Sequence, residues 1–374
     1  LGQTELKLLL AGLNDTPIWG MSVDERLRRI ARAQKLELAG VENPDVPTLI
    51  VNRAFVFDPA WLRYLNGRPG EVLTIGGSPV IAHVRDRGER DAVLRSIELG
   101  HPLDDASGLS VRSYEAGAEI VNEQLRKRER PFALRLEPGT VREAERASYF
   151  GAYKGVTDIL TKYLWPEWAL VLTRIAARIG MTPNMVTAIG AILCVAATIF
   201  FWCGQYWLGM AVGLGFMVLD TVDGKLARCT ITSSKWGNVF DHGIDLVHPP
   251  FWWVAWAAGL EAFGRPLPHD TVALVLGVIL GGYVVQRLIE GAFMRLYGMH
   301  IHVWRKFDSR FRLITARRNP NMVILFAATL FARPDLGLVA VAWWTAISLL
   351  VHLVQLVQAI VARAGGREIR SWLA

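Results

Sequence analysis

The sequence predicts a polytopic α-helical membrane protein with six transmembrane helices, an N-terminal soluble α/β domain and an interfacial amphipathic helix between them. Three observations predict it. Apolar runs of about 20 residues, the length that crosses a bilayer, recur only beyond residue 183. Charge is divided unevenly: residues 1–150 hold 21 Lys+Arg and 22 Asp+Glu, whereas residues 151–374 hold 20 and 12, so the net +7 arises in the second part. Strand-period and helix-period patterns alternate only in the first 145 residues. The boundaries follow: a cytoplasmic α/β domain at 1–145, a linker and juxtamembrane helix at 146–182, a six-helix unit at 183–363 and a tail at 364–374.

In the first domain, VDERLRRIARAQKL has helical periodicity, with Leu27, Ile30 and Ala31 on one face. TLIVNRAFVF and GEVLTIGGSPVIAHV read as strands, the second broken by a Gly76-Gly77 turn. RKRER at 126–130 reads as a solvated helix end, close enough to the membrane part to meet anionic lipid. Residues 152–180 mix apolar with charged side chains; an interfacial helix fits, with Trp165 and Trp168 at the headgroup boundary.

Six spans follow at roughly 184–204, 207–228, 238–262, 271–294, 320–333 and 336–362; the fifth is short. Lys225, Arg228 and Lys235 flank the 2/3 connection, basic residues crowd the 4/5 connection, and Arg363, Arg367 and Arg370 follow span six. The positive-inside rule therefore puts both termini on the cytoplasmic face. Because the basic excess lies in loops between spans, it is no nucleic-acid signature. Cys194, Cys203 and Cys229 lack metal or disulfide spacing and read as packing residues. The chain begins at Leu1, as a fragment would, without a signal-peptide pattern.

Chemistry concentrates in DTVDGKLARCTITSSKWGNVFDHGID, residues 220–245. Acidic groups at membrane depth are costly unless compensated. Asp220, Asp223 and Ala227 share one helical face; Gly237, Asp241 and Asp245 recur every four residues on the next helix. Facing each other, the stripes would gather four carboxylates in one pocket, with Gly224 and Gly237 allowing close approach. Carboxylates are hard ligands, so Mg²⁺ or Mn²⁺ is the natural guest, and four acids suit two ions. Such a site suits phosphoryl transfer, with a free carboxylate to accept a hydroxyl proton.

The spacing D-x2-D-G-x2-A-R-x8-G-x3-D-x3-D resembles the signature of the CDP-alcohol phosphotransferase (phosphatidyltransferase) family, with every fixed position filled. The resemblance implies a cytoplasm-facing two-metal site in a membrane enzyme of phospholipid biosynthesis, which transfers a substituted phosphate from a CDP-alcohol to an acceptor hydroxyl and releases CMP. It implies metal ligation by Asp220, Asp223 and Asp241, with Asp245 as general base or second-metal ligand. It places Asp220, Gly224, Ala227, Arg228 and Gly237 around the cytidine and its phosphate, and it implies a homodimer. T-P-N-M-V-T at 182–187 resembles the family's entry motif. K-G-V-T-D (154–158) with L-T-R (172–174) resembles the subgroup fused to a nucleotidyltransferase-like domain. Here that domain lacks a phosphate loop followed by a basic residue, Gly76-Gly77-Ser78-Pro79 being a poor substitute, so a scaffold or dimer contact is its expected role.

Arg287, Arg317, Arg318 and Arg363 are the candidates for an acceptor's phosphate, because a guanidinium within a span needs an anionic partner. Glu290, three residues after Arg287, offers an alternative partner. Inositol phosphate, glycerol phosphate and other polyol phosphates stay open as acceptors, and the donor is CDP-diacylglycerol or a soluble CDP-alcohol. His242 and His248 border the acids as hydrogen-bonding groups. Two other classes use acids in membranes: prenyltransferases, whose acidic motifs lie far apart in the chain, and cation transporters, which need no Ala-Arg pair.

Overall fold

The computed structural model describes residues 6–39, 47–117, 119–122 and 125–374. The first part runs β1 (Lys7–Ala11), α1 (Val23–Ala33), β2 (Glu37–Leu38), β3 (Thr48–Asn52), β4 (Phe55–Phe57), α2 (Pro59–Asn66), β5 (Glu71–Ile75), β6 (Ser78–Val84), α3 (Arg87–Leu99), β7 (Ser110–Ser113), β8 (Ile120–Asn122), β9 (Lys127–Glu129) and β10 (Ala133–Arg135). Six strands form one mixed sheet in the order β2-β1-β3-β6-β5-β7. β3 is buried along its whole length, as its run TLIVN requires of a central strand covered on both faces. Gly76 and Gly77 join β5 to β6 with φ of 55° and 80°, the left-handed pair that a two-residue hairpin turn demands. Leu27, Ile30 and Ala31 of α1 are buried together, as their spacing predicts. RKRER departs from expectation. Lys127–Glu129 is a strand, and Lys127 is buried because its ammonium donates to Gly151 O at 2.6 Å, so the segment is no solvated helix end.

The second part comprises α4 (Val141–Gly151), α5 (Pro166–Arg178), α6 (Pro183–Trp202), α7 (Tyr206–Cys229), α8 (Lys235–Ala262), α9 (His269–Tyr297), α10 (Lys306–Phe311), α11 (Arg318–Leu330) and α12 (Pro334–Ala364). Each predicted span is a helix, and four of them, α6, α7, α9 and α12, are long and apolar enough to cross a membrane. α8 has the length but carries Asp241, Asp245, Pro249 and Pro250; α11 has 13 residues. Glycines set the closest approaches: a Cβ on Gly209 would lie 2.4 Å from the Phe201 ring, and one on Gly259 would lie 2.0 Å from Phe201 O. Trp165, expected at the headgroup boundary, is instead fully buried and donates to Thr221 Oγ1 on α7 at 3.0 Å, while Trp168 is exposed.

Pro250 has no N–H for the Leu246 carbonyl one turn earlier. Tyr283 on α9 supplies the missing donor, its hydroxyl lying 2.8 Å from Leu246 O. Tyr283→Phe should therefore cost about 1 kcal/mol, read as a lower midpoint in thermal unfolding; an unchanged midpoint would show that the carbonyl needs no partner.

The N-terminal domain is fastened to the end of α7. A helix leaves its last carbonyls without internal donors and favours cations there. Arg26 and Arg29 of α1 meet that need, donating to Cys229 O at 2.7 Å and Thr230 O at 2.9 Å. Thus α1 holds the end of the helix that carries Asp220 and Asp223.

Candidate active site

α7 and α8 meet through a short turn at residues 230–234. Ser234 caps α8, its hydroxyl accepting from Gly237 N at 2.9 Å. The cap fixes the helical phase of Asp241 and Asp245, which face Asp220 across the gap. Asp220, Asp241 and Asp245 each place a carboxylate oxygen within 4.8 Å of the others. Asp223 is buried one turn further along α7, where Thr187 Oγ1 of α6 donates to its Oδ2 at 2.6 Å. A Cβ on Gly237 would lie 3.0 Å from Asn184 Oδ1, so glycine lets the start of α8 close onto the start of α6.

Arg318, at the first turn of α11, bridges the two acidic stripes. It donates to Asp220 Oδ2 at 2.6 Å and Asp245 Oδ1 at 2.9 Å, a fork well matched to two carboxylates. Its Nε donates to Asn319 Oδ1 at 2.9 Å, and Asn319 in turn donates to Asp158 Oδ1 at 3.1 Å. Thr161 N also donates to Asp158 Oδ1, at 3.0 Å. The Asp of K-G-V-T-D therefore orients the arginine through an asparagine. Burial alone would raise the Asp158 pKa, but Arg312, Thr161 and Asn319 outweigh it and hold it below the ordinary value.

Two cavities meet along the row of acids. The first, about 400 Å³, is lined by Asn184, Thr187, Asp223, Gly224, Ala227, Gly237 and Asp241, with Trp19, Gly20, Met21 and Arg29 contributed by the N-terminal domain. The second, about 710 Å³, is lined by Asp220, Asp241 and Asp245 on one side and by Arg126, Lys154, Arg287, Arg312, Arg317 and Arg318 elsewhere. Gly224 and Asp241 border both. Burial, with Arg126 and Arg228 nearby, pushes the Lys154 ammonium down to about 8. Burial also pushes Arg126 down to about 10, with the Arg317 charge adding to the effect.

The structure brings most of the predicted residues together, with exceptions. Asp220, Asp223, Gly224, Ala227, Arg228, Gly237, Asp241 and Asp245 all line one cavity or both. Arg228 borders the second cavity, away from Ala227 and Gly237 in the first. Arg287 and Arg317 line the second cavity, but both hold Glu290: Arg287 at 3.0 Å and Arg317 in a shorter contact. Arg363 lines neither cavity; its guanidinium donates to Leu296 O at 3.1 Å and lies over the Tyr297 ring. His248 Nδ1 lies 2.6 Å from Ile244 O, and His242 lies beside Asp241 at 3.6 Å.

Several lining residues had been assigned no role from sequence. Asn184 and Thr187 lie in T-P-N-M-V-T, three residues apart on one face of α6, which was the available signal. Lys154 and Asp158 lie in K-G-V-T-D. Arg126 had no local signal, since only the tertiary fold carries it to the cavity. Glu290, His302 and His352 also bring donor atoms within 4.8 Å of one another. There two guanidinium groups already hold the carboxylate, which disfavours a divalent cation.

These features define a class: a helical unit of membrane type whose paired acidic stripes separate a small-residue cavity from a cationic one. Residues 180–308, about a third of the chain, match the family model described as CDP-alcohol phosphatidyltransferase. Archaetidylinositol phosphate synthase of Pyrococcus horikoshii is 27% identical over 177 residues, 45% of this chain and 80% of that protein. Phosphatidylinositol phosphate synthase of Streptomyces avermitilis is 36% identical over 93 residues, 24% of this chain and 38% of that protein. Cholinephosphotransferase 1 of Gallus gallus is 30% identical over 127 residues, 31% of this chain and 36% of that protein. For the latter two, the matched part spans well under two thirds of the relative's length.

Proposed function

We propose that the chain transfers a substituted phosphate from a CDP-alcohol, CDP-diacylglycerol foremost, to a hydroxyl of a phosphorylated polyol, releasing CMP. The observation that carries this reading is the placement of four aspartates between two cavities of different character. Asp223 faces only the first, Asp220 and Asp245 only the second, and Asp241 both. Gly224, Ala227 and Gly237 leave room in the first for the cytidine phosphate, and the cations of the second suit an acceptor that carries its own phosphate. The similar proteins of Pyrococcus horikoshii and Streptomyces avermitilis are named as synthases of inositol phosphate lipids, which favours inositol phosphate as acceptor.

Three clustered carboxylates with a fourth one turn away are a hard oxygen donor set that fits Mg²⁺ or Mn²⁺. Two such ions, held by Asp220, Asp223, Asp241 and Asp245, would polarise the transferred phosphoryl group and stabilise the leaving phosphate. Asp245, the more exposed of the two acids paired with Arg318, receives the proton of the acceptor hydroxyl. The acceptor oxygen bonds to the phosphorus that carries the donor's alcohol, the bond from that phosphorus to the CMP oxygen breaks, and CMP leaves with the electron pair. Thr187 keeps the Asp223 carboxylate oriented throughout.

The same reading takes α8 and α11 as the third and fifth of six crossings and α5 as the interfacial helix. Both termini and the site then face the cytoplasm, and the chain pairs as a homodimer in the cell membrane. Loop arginines and lysines support this orientation. The N-terminal domain is read as nucleotidyltransferase-like without catalysis of its own.

The test is CMP release by the full chain from CDP-diacylglycerol with Mg²⁺ or Mn²⁺. Release is expected only with a phosphorylated polyol present, whereas turnover of a prenyl diphosphate instead would overturn the reading. A pH dependence follows from Lys154. Its ammonium, pushed down to about 8, loses its proton as pH rises from 7 to 9 and stops attracting the acceptor's phosphate. The acceptor KM should therefore rise across that window. Lys154→Met should start from a higher KM and lose the slope; an unaltered slope in the variant would assign the dependence to another group.

A further inference from the structure

The cations of the second cavity come from separate parts of the chain, and one of them comes from the N-terminal domain. Arg126 immediately precedes β9, which pairs antiparallel with β8. Its φ is 52°, a left-handed backbone that an L side chain adopts only where the surroundings impose it. What imposes it is the linker: Gly155 N donates to Leu125 O at 2.8 Å, and Lys127 Nζ to Gly151 O at 2.6 Å. A Cβ on Gly155 would lie 2.6 Å from both Arg126 O and Lys127 Cβ, so glycine is needed for this contact. The segment is thereby locked beside K-G-V-T-D, with Arg126 lining the cavity.

Asp158 attracts Arg312, but the cations of this cavity are only partly matched by direct contacts. Among the described residues, neither Arg126 nor Lys154 has a hydrogen bond or ion pair. Arg312 is buried with Nε and Nη1 unpartnered. Glu290, one of the acids lining the cavity, is already held by Arg287 and Arg317, and Asp220 and Asp245 by Arg318. Unpaired cations in a partly buried cavity are stable only with an anion between them. A phosphate monoester fits, since it brings up to two negative charges and three acceptor oxygens.

We infer that Arg126 is a specificity-determining residue of the acceptor site. The N-terminal domain reaches into the second cavity and, with Lys154 and Arg312, binds the phosphate of a phosphomonoester acceptor. This inference rests on the transferase reading above and gives the domain a part in substrate selection.

The test uses the full chain, with CMP release from CDP-diacylglycerol measured against inositol phosphate, glycerol phosphate and the two unphosphorylated polyols. Arg126→Ala should raise the KM for a phosphorylated acceptor about 10- to 100-fold, the usual cost of a lost charged hydrogen bond. The donor KM should stay unchanged, and Arg126→Lys should recover part of the loss. Arg126→Gln serves as the size-matched variant if the alanine form does not fold. An unchanged acceptor KM, or equal rises in donor and acceptor KM, would overturn the inference. A wild-type chain that uses unphosphorylated polyols as well as their phosphates would overturn it too, together with the phosphorylated acceptor proposed above, while leaving the transfer from a CDP-alcohol intact. No CMP release with any acceptor would overturn both.

Discussion

Asp241→Asn is expected to lower CMP release about 10³-fold or more, the scale of losing a group that both holds metal and borders the reacting atoms. Asp241 is the acid that lines both cavities, so it stands where donor and acceptor meet. Asparagine keeps its size and removes its charge, which separates electrostatics from packing. Asp245→Asn should be nearly as severe, about 10²- to 10⁴-fold, for the different reason that a proton acceptor is lost. The two differ in a second readout. Asp241→Asn should abolish the rise in thermal midpoint on adding Mn²⁺, whereas Asp245→Asn should retain part of it. Unchanged turnover in both variants would sink the mechanism.

Arg318→Ala should reduce stability in the absence of divalent metal and make the chain more responsive to it. Arg318 joins Asp220 and Asp245 in a largely buried ion-pair network, its own side chain only 11% exposed. Removing one partner of a buried pair typically costs about 3–5 kcal/mol, because the remaining charge is left desolvated and unpaired. Here two carboxylates lose their partner and repel each other. A divalent cation offers the same acids a replacement, so Mn²⁺ should raise the thermal midpoint of Arg318→Ala by more than that of the wild type. Arg318→Lys keeps the charge but loses the fork and should fall between them. A wild-type midpoint for Arg318→Ala without metal would show that the bridge contributes nothing.

The acidic stripes were legible in the sequence because helical phase is a local property. Residues three and four apart share a face whatever surrounds them, and so Asp220 with Asp223, and Asp241 with Asp245, read out directly. The Gly76-Gly77 turn was legible for a similar reason, since only glycine adopts two successive left-handed conformations cheaply. Trp165 misled because composition cannot tell a headgroup anchor from a tryptophan that caps a polar contact with Thr221. Arg363 was less legible, because its place at the end of α12 does not say that its guanidinium meets Leu296 O. RKRER was the least legible segment. Its charge pattern suggests solvent, yet Lys127 is buried and Arg126 faces the second cavity, both set by contacts with Gly151 and Gly155 far along the chain. Long-range placement of this kind has no local period to read.

The division of labour between the two cavities makes the acceptor dependence of CMP release the most direct measurement. The purified chain with CDP-diacylglycerol and Mn²⁺ should release CMP in equal amount to a new phosphodiester product, and only when a phosphorylated polyol is added. Removal of the divalent ion with a chelator should stop the release, and its return should restore it. CMP formed at the same rate without any acceptor, or none formed with every phosphorylated polyol tried, would contradict the account.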